Sequence, residues 1–210
     1  MSGEEAALRA GLKQLQLELN DQQISQLLAY QALIAKWTKV YNLTAVRDPA
    51  EMMTHHLLDS LAVIAPLQRH MTRGSLLDVG SGAGLPGAVI AICCQAIEVT
   101  CVDTVAKKAT FIKQVALELK LPNVAALHAR VENIDQPFDV ICSRAFASLV
   151  HFTQWSANAL EPDGVWMAMK GKYPADELTA LPPGIDVFHV EQLQVPGLDA
   201  ERCLVWMRRT

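Results

Sequence analysis

One short segment constrains the fold more than any other, because an apolar run passes directly into a cluster of glycines. Residues 76–87 read LLDVGSGAGLPG, and a second apolar run, AVIAI, follows from Ala88. This order predicts a strand, a glycine turn and a helix. Glycine suits positions where the backbone takes a positive φ or where a ligand touches the main chain. Such a loop presents amide N–H groups and the positive end of a helix to a nucleotide-like ligand.

The composition is that of one globular domain, since the chain has 210 residues and 51% of them are apolar. No apolar run reaches the roughly 18 residues that a membrane span requires, and the acidic N-terminus does not resemble a signal peptide. We therefore expect a cytoplasmic monomer whose five cysteines are reduced and packed in the core. Cys93-Cys94 and His55-His56 lack the spacing of metal ligands, so no metal is expected.

The hydrophobic pattern changes near residue 74. Before it, leucine spacing predicts helices over residues 6–19 and 56–68, and Asn20-Asp21 is suited to cap a helix that reaches about Lys39. We interpret residues 1–73 as a helical cap that forms one integrated domain with a core of residues 74–210.

After residue 74, strands alternate with helices. The predicted strands are 75–79, 97–102, 124–128, 138–142, 164–170, 187–193 and 203–207, and the predicted helices are 85–94, 105–119 and 148–160. Five β-α repeats followed by two strands with no helix between them predict an α/β fold. Its sheet would be open, seven-stranded and mostly parallel, with a hairpin at one edge.

Two cofactor classes compete for the glycine loop. Gly82, Gly84 and Gly87 form a literal G-x-G-x-x-G, which is the pattern of NAD-dependent oxidoreductases. Asp103 ends the second strand, 19 residues beyond Gly84, where an acid can hold ribose hydroxyls. Enzymes that use S-adenosylmethionine place an acid there as well, so Asp103 does not discriminate. A structural glycine turn that binds no ligand is a third interpretation.

Three features favour S-adenosylmethionine. Asp78 precedes Gly80 by two residues, and a carboxylate there suits the amino group of a methionine moiety better than a pyrophosphate. The glycines also run as G-x-G-x-G, which resembles the first motif of Rossmann-like methyltransferases. Finally, a sheet of seven strands with a terminal hairpin matches that methyltransferase fold.

The turn after the fourth strand indicates what kind of atom is methylated. Residues 142–146 read CSRAF, which offers a cation, a hydroxyl and an aromatic ring but no evident base. That set suits a nucleophile with an available lone pair, such as guanine N7, for which the enzyme supplies positioning and electrostatics. Arg144 could anchor a cofactor carboxylate or a substrate phosphate. Phe146 could stack on a base or pack in the core.

Basic residues form local clusters although the net charge is −4. Lys36, Lys39 and Arg47 surround an aromatic pair, but charge runs of this kind are usually solvated faces. Lys170 follows the fifth strand on the ligand-binding edge of the sheet, so we predict that it contacts RNA.

Six ordered blocks carry a resemblance to a known family. They are WTKVYNLTAVR (37–47), HLLDS (56–60), DVGSGAGLPG (78–87), RVE (130–132), SRAF (143–146) and VPGLDAER (195–202). Together they resemble the bacterial small-subunit rRNA guanine-N7 methyltransferases, once named the glucose-inhibited division protein B family. Ala83 stands where that family often has proline, which is a small departure.

The resemblance implies a class I, Rossmann-like methyltransferase fold. It also implies methyl transfer from S-adenosylmethionine to N7 of a guanine in 16S rRNA, presented as rRNA or as the small ribosomal subunit. Residue by residue, the implied cofactor contacts are Asp78, Gly80, Gly82 and Leu85 on the methionine side, Asp103 at the ribose, Val131 and Glu132 at the adenine, and Arg144, which is also the catalytic candidate.

Some assignments stay open at this stage. Arg202 lies in a family block and is a candidate RNA contact, although a salt bridge at a strand edge would also explain it. Asn42 and Asp59 lie in family blocks, and Asp59 on an amphipathic helix is either solvated or functional. Two other functions are considered: an NAD-dependent oxidoreductase, and a non-catalytic RNA-binding or ribosome-assembly factor that keeps a cofactor pocket.

Overall fold

A single seven-stranded sheet organises the computed structural model, which describes residues 2–210. Its strands are β1 (Gly74–Val79), β2 (Ile97–Asp103), β3 (Val124–His128), β4 (Phe138–Arg144), β5 (Leu160–Lys170), β6 (Ile185–Leu193) and β7 (Arg202–Arg209). They lie in the order β3-β2-β1-β4-β5-β7-β6. All neighbours are parallel except that β7 runs antiparallel to both β5 and β6. The predicted mostly parallel sheet with a hairpin at one edge is confirmed.

Alternate residues of the central strands enter two apolar cores on opposite faces of the sheet. Leu76 and Val140 belong to the first core, whereas Leu77 and Ile141 belong to the second. Because helices cover both faces, the strands are nearly continuous apolar runs, as buried parallel strands require. This is why they are easily recognised in the sequence.

Helices cover the sheet on both sides. They are α1 (Gly3–Gln14), α2 (Asp21–Tyr41), α3 (Pro49–Met52), α4 (Asp59–Leu61), α5 (Ile64–His70), α6 (Gly87–Cys93), α7 (Ala106–Glu118), α8 (Leu149–Trp155) and α9 (Ala175–Thr179), with a π-helical segment at Met53–Leu58. Val89 of α6 and Ile112 of α7 pack in the first core with the N-terminal helices, and Phe152 of α8 packs in the second. No helix within residues 2–210 is both long enough and apolar enough to cross a membrane.

The N-terminal helices agree with the prediction in part. Asn20 caps α2 through a capping box with Gln23, as its position predicts. The predicted helix over residues 6–19 is wrong at its end: α1 stops at Gln14, and Gln16 takes a left-handed φ of 56°. Leucines continue the pattern beyond this point because the chain after α1 still packs against the core. The apolar pattern there reports burial rather than helix.

The predicted helix over residues 56–68 starts too late. Asp48 caps the chain at Pro49 by accepting the N–H groups of Ala50 and Glu51. Helical turns then continue through the π-helical segment, α4 and α5 to His70. A π-helical turn carries one additional residue, so it shifts the apolar stripe and obscures the helical period.

Three differences separate the predicted from the observed secondary structure of residues 74–210. The connection after β3 contains only a 3₁₀ turn, Val131–Asn133. The prediction of five complete β-α repeats was therefore wrong. The predicted helix over residues 148–160 ends at Trp155, and a 3₁₀ turn, Ala157–Ala159, follows it. Between them, Ser156 accepts the indole N–H of Trp166 and donates to the carbonyl of Phe152. The short helix α9, between β5 and β6, was not predicted.

The N-terminal helices are hydrogen-bonded to the elements that hold the glycine loop. The side-chain amide of Gln23 donates to the carbonyl of Ile92 at 3.0 Å, near the end of α6. The buried hydroxyl of Tyr30 donates to the carbonyl of Ala83, inside the glycine loop, at 2.6 Å. The division of the chain at residues 73 and 74 stays a prediction, and these bonds tie the two proposed parts together.

The Tyr30 hydrogen bond gives a stability prediction. We expect Tyr30→Phe to lower the free energy of unfolding by about 1 kcal/mol, because the Ala83 carbonyl would lose a buried donor. Urea unfolding followed by circular dichroism measures the change. Tyr173→Phe is the matched control, since its side chain is 52% exposed. Equal stability of the Tyr30 variant and the parent protein would contradict the prediction.

Candidate cofactor and substrate clefts

Two adjoining clefts open where the parallel strands end, at the point where the strand order reverses between β1 and β4. The cap-side cleft, of about 520 Å³, lies between the glycine loop and the N-terminal helices and includes Leu85 and Arg144. The β2-side cleft, of about 360 Å³, lies over the ends of β2 and β3 and includes Asp103. Gly80 lines both clefts. Ligands of open α/β sheets bind in this kind of crevice.

The glycine loop needs glycine for two different reasons. Gly80 and Gly82 take left-handed φ values of 65° and 60°. A Cβ on Gly80 would lie 2.4 Å from the ring of Phe146, so this aromatic side chain packs directly on the loop backbone. A Cβ on Gly82 would meet no atom within 4 Å, so the loop is open to a ligand on that side.

Asp78 lies beneath the loop rather than in either cleft. Its Oδ2 accepts the N–H of Gly87 at 2.8 Å, and the side chain is fully buried. Burial raises the pKa of this carboxyl to about 7, and the Gly87 N–H acts in the opposite direction. This differs from the predicted direct contact with a ligand amine, because the bond to Gly87 holds the carboxylate under the loop. Asp78 therefore supports the loop from below.

Asp103 joins the glycine loop to the next strand–helix turn. Its Oδ2 accepts the N–H of Gly82 and its Oδ1 accepts the N–H of Val105, both at 2.9 Å. Lys108 lies 3.8 Å from the same carboxylate. A carboxylate has about four acceptor positions, so two are left for ligand hydroxyls in the β2-side cleft. The predicted contact of Asp103 with a ribose stays a prediction.

Val131 and Glu132 form the first part of the 3₁₀ turn after β3 and line the β2-side cleft. Val131 is buried, whereas Glu132 is partly exposed and accepts a hydrogen bond from Arg130 at 2.8 Å. That bond lowers the pKa of Glu132. Phe146 and Trp155 line the same cleft at an edge-to-face separation of 6.0 Å. The cleft thus combines apolar and aromatic walls with acidic groups.

Arg144 lies at the carboxyl end of β4 in the cap-side cleft. Its Nη1 donates to Oδ2 of Asp59 at 3.0 Å and to the carbonyl of His55 at 2.8 Å. The next residue, Ala145, takes a left-handed φ of 52°. A non-glycine residue in that region is strained, and such strain is concentrated at functional turns.

Asp59 is not solvated, contrary to the interpretation of its helix as an ordinary amphipathic one. Its side chain is 4% exposed, and its Oδ1 accepts a hydrogen bond from Nε of Arg202 at 2.8 Å. Because Arg144 occupies the other oxygen, one carboxylate holds two arginines. The salt bridge considered for Arg202 is present, and Arg202 also lines the cap-side cleft.

Lys170 lines the cap-side cleft but already has an ion-pair partner. Its Nζ donates to both carboxylate oxygens of Glu177, at 3.0 and 2.8 Å, and to the carbonyl of Ala147. Glu177 comes from the unpredicted helix α9 and also accepts the N–H of Leu149. The predicted RNA contact of Lys170 stays a prediction, and the structure gives its charge a local partner.

Sequence reasoning missed His56, which was considered only as a metal ligand. The side chain is buried in the cap-side cleft, with its Nε2 2.9 Å from Oγ1 of Thr44. Burial, followed by the nearby charge of Arg144, lowers the pKa of His56 to about 4, so the imidazole is neutral at neutral pH. The only local signal for this pair was that both residues fall in family blocks.

The residues present fit a nucleoside-containing cofactor. Asp103 has free acceptor positions beside the open face of Gly82, and the buried Oγ of Ser81 has no hydrogen-bond partner within residues 2–210. Buried hydroxyls are normally paired, so the Ser81 group has capacity for a ligand. In the same part of the chain, no group of three or more His, Cys, Asp or Glu side chains is arranged to hold a metal.

Comparisons with known proteins identify the family of this chain. A family model described as rRNA small subunit methyltransferase G matches residues 23–205. The curated "Ribosomal RNA small subunit methyltransferase G" of Polaromonas sp. strain JS666 is 73% identical over 214 aligned positions, which cover 99% of this chain and 95% of the relative.

Solved structures share the fold at low sequence identity. TrmN from Thermus thermophilus superposes with a TM-score of 0.59 at 18% identity, covering 75% of this chain and 53% of its own. A SAM-dependent methyltransferase from Aquifex aeolicus gives a TM-score of 0.56 at 18% identity, covering 76% and 93%. These likenesses confirm the Rossmann-like methyltransferase fold. From the family match and the close relative, this chain belongs to the rRNA small subunit methyltransferase G family.

Proposed function

We propose that this protein transfers a methyl group from S-adenosylmethionine to N7 of one guanine in 16S rRNA. The observation that carries the proposal is the pair of adjoining clefts at the end of β1, in a chain whose family match spans residues 23–205. The β2-side cleft suits a nucleoside, and the cap-side cleft suits a methionine tail together with a target base. The family match argues against the alternative hypothesis that this protein is an NAD-dependent oxidoreductase.

The cofactor of this family is S-adenosylmethionine, and the two clefts divide its parts between them. Asp103 would accept the ribose hydroxyls, while Val131 and Glu132 would border the adenine. Gly80, Gly82 and Leu85 would contact the methionine portion, and Arg144 lines the same cap-side cleft. Bound S-adenosylmethionine would supply an electrophilic sulfonium methyl group.

The charged groups of the cap-side cleft suit the positioning of a ligand. The pKa of His56, lowered to about 4, makes its imidazole a weak base, and each carboxylate oxygen of Asp59 accepts a hydrogen bond from an arginine. Guanine N7 carries an available lone pair, so its methylation does not require a general base. Alignment and fixed charges can then account for the catalytic effect.

The remaining assignments concern the macromolecular substrate. Lys170 and Arg202 are the proposed RNA contacts, because both line the cap-side cleft where the target base would enter. The net charge of −4 means that RNA must be bound through local cationic groups of this kind. With a ribosomal substrate, we place the protein in the bacterial cytoplasm, where it would act as a monomer.

Methyl transfer can be measured directly. Purified protein is incubated with S-adenosylmethionine labelled in its methyl group and with small subunits, or free 16S rRNA, from cells that lack this activity. We expect label at N7 of a single guanine, located by chemical cleavage at methylated guanines. Binding of the cofactor without transfer to either substrate would instead favour a non-catalytic RNA-binding or assembly factor.

Asp103 gives a prediction for cofactor affinity. We expect Asp103→Ala to weaken S-adenosylmethionine binding by about 1.5–3 kcal/mol, because charge-assisted bonds to the ribose would be lost. Isothermal titration calorimetry measures the affinity, and Asp163→Ala, at an exposed carboxylate elsewhere, is the control. Equal cofactor affinity of the two variants would contradict the assignment of Asp103 to the proposed cofactor site.

Lys170 gives a prediction for RNA binding. We expect Lys170→Ala to weaken RNA binding more than cofactor binding and to make the salt dependence of RNA binding shallower by about one counterion. Filter binding at several salt concentrations measures both quantities. Lys13→Ala, in the exposed last turn of α1, is the control. If RNA binding by Lys170→Ala and by the parent depended equally on salt, Lys170 would pair only with Glu177 and would not contact RNA.

A further inference from the structure

The cap-side cleft contains a compact charge cluster whose members come from three distant parts of the chain. Asp59 belongs to α4, Arg144 ends β4 and Arg202 begins β7. The bonds join residues separated by 85 and 143 positions in the sequence. The carboxylate is 4% exposed and the two arginine side chains are 21% and 23% exposed.

The carboxylate sets the direction of both guanidinium groups. Strand β5 lies between β4 and β7 in the sheet, so the two arginines start from strands about 10 Å apart. Two like charges that converge on one point repel each other unless a charge of opposite sign lies between them. Asp59 supplies that charge, with one oxygen for each arginine.

The cluster contributes a surplus positive charge to the cleft. Two guanidinium groups and one carboxylate leave one positive charge, whereas Lys170 is balanced by Glu177 and His56 is neutral. Arg202 uses Nε for Asp59 and Nη1 for the carbonyl of Glu201. The hydrogen bonds within residues 2–210 thus leave its Nη2 available to the cleft that it lines.

We propose that Asp59 is a positioning residue that orients Arg202 to donate a hydrogen bond to an acceptor oxygen of the target guanosine. This inference rests on the proposed function. The acceptor is either O6, which lies beside N7 on the edge of guanine, or a phosphate oxygen of the same nucleotide. Adenine presents an amino donor in place of O6, and the guanidinium of Arg202 is itself only a donor, so an O6 contact would also select guanine.

Four proteins test the proposal: the parent, Arg202→Met, Asp59→Asn and the double variant. Binding is measured with small subunits from cells that lack the methyl group, and S-adenosylmethionine affinity is measured separately by calorimetry. We expect Arg202→Met to weaken subunit binding by about tenfold while S-adenosylmethionine affinity changes less than about twofold. Asp59→Asn should also weaken subunit binding, and the double variant should bind no more weakly than Arg202→Met alone.

That non-additivity is the readout that distinguishes positioning from a general loss of structure. Unchanged subunit binding in Arg202→Met, or losses that multiply in the double variant, would overturn the proposal. Arg208→Met is the matched control, since Arg208 lies on the same strand but pairs with Asp186 on the surface. If Asp59→Asn fails to fold, Arg202→Lys keeps the charge without the planar fork and should still weaken binding.

Salt dependence distinguishes the two sources of the acceptor oxygen. Loss of a phosphate contact makes the salt slope shallower by about one counterion, whereas loss of a contact to O6 leaves the slope unchanged. Because these are binding measurements, they are independent of turnover. Parent protein that transfers no methyl group would overturn the proposed function, while the binding series would still report on Arg202 and Asp59.

Discussion

The hydrogen bond between the buried carboxylate of Asp78 and the N–H of Gly87 fixes the glycine loop, and both clefts depend on that loop. Two further hydrogen bonds restrain the same loop: the N–H of Gly82 donates to Asp103, and the hydroxyl of Tyr30 donates to the carbonyl of Ala83. A loop restrained by three hydrogen bonds presents its open face at Gly82 without further reorganisation. The expectation that the loop offers its amides to a ligand is wrong for most of them, because the N–H groups of residues 80, 81, 82, 84, 85 and 87 already donate to protein acceptors. Preorganisation of this kind is what electrostatic catalysis and tight cofactor binding require.

Four charged groups in the cap-side cleft are held in ion pairs: Asp59, Arg144, Lys170 and Arg202. Burial lowers the pKa of His56 and makes it a weak base, and burial raises the pKa of Asp78, which lines neither cleft. Such an arrangement is suited to an acceptor atom that already has its lone pair available.

The N-terminal helices are part of the site and not an appendage to it. His56 and Asp59 from this region and Thr44 from the connection after α2 line the cap-side cleft, and Tyr30 of α2 donates a hydrogen bond to the glycine loop. The first apolar core also includes Leu27 and Leu57 from these helices together with residues of the sheet. The cofactor loop and the proposed substrate contacts therefore share one packed body.

Features that depend on neighbouring residues could be predicted without the structure. Continuous apolar runs predict the strands. Asn20 and Gln23 predict the start of α2, and Gly80 and Gly82 predict the loop. These signals are local because burial of both sheet faces, capping and positive φ act within a few residues.

The pairings between distant residues follow from the fold and not from any local pattern. It placed Asp59 between two arginines, brought Glu177 of the unpredicted α9 to Lys170 and drew Asp78 beneath the loop instead of into a cleft. No local pattern encodes these contacts, because their partners meet only when the strand order and the helical cap bring distant segments together. For that reason the sequence identified the components of the site, and the fold determined which of them act on each other.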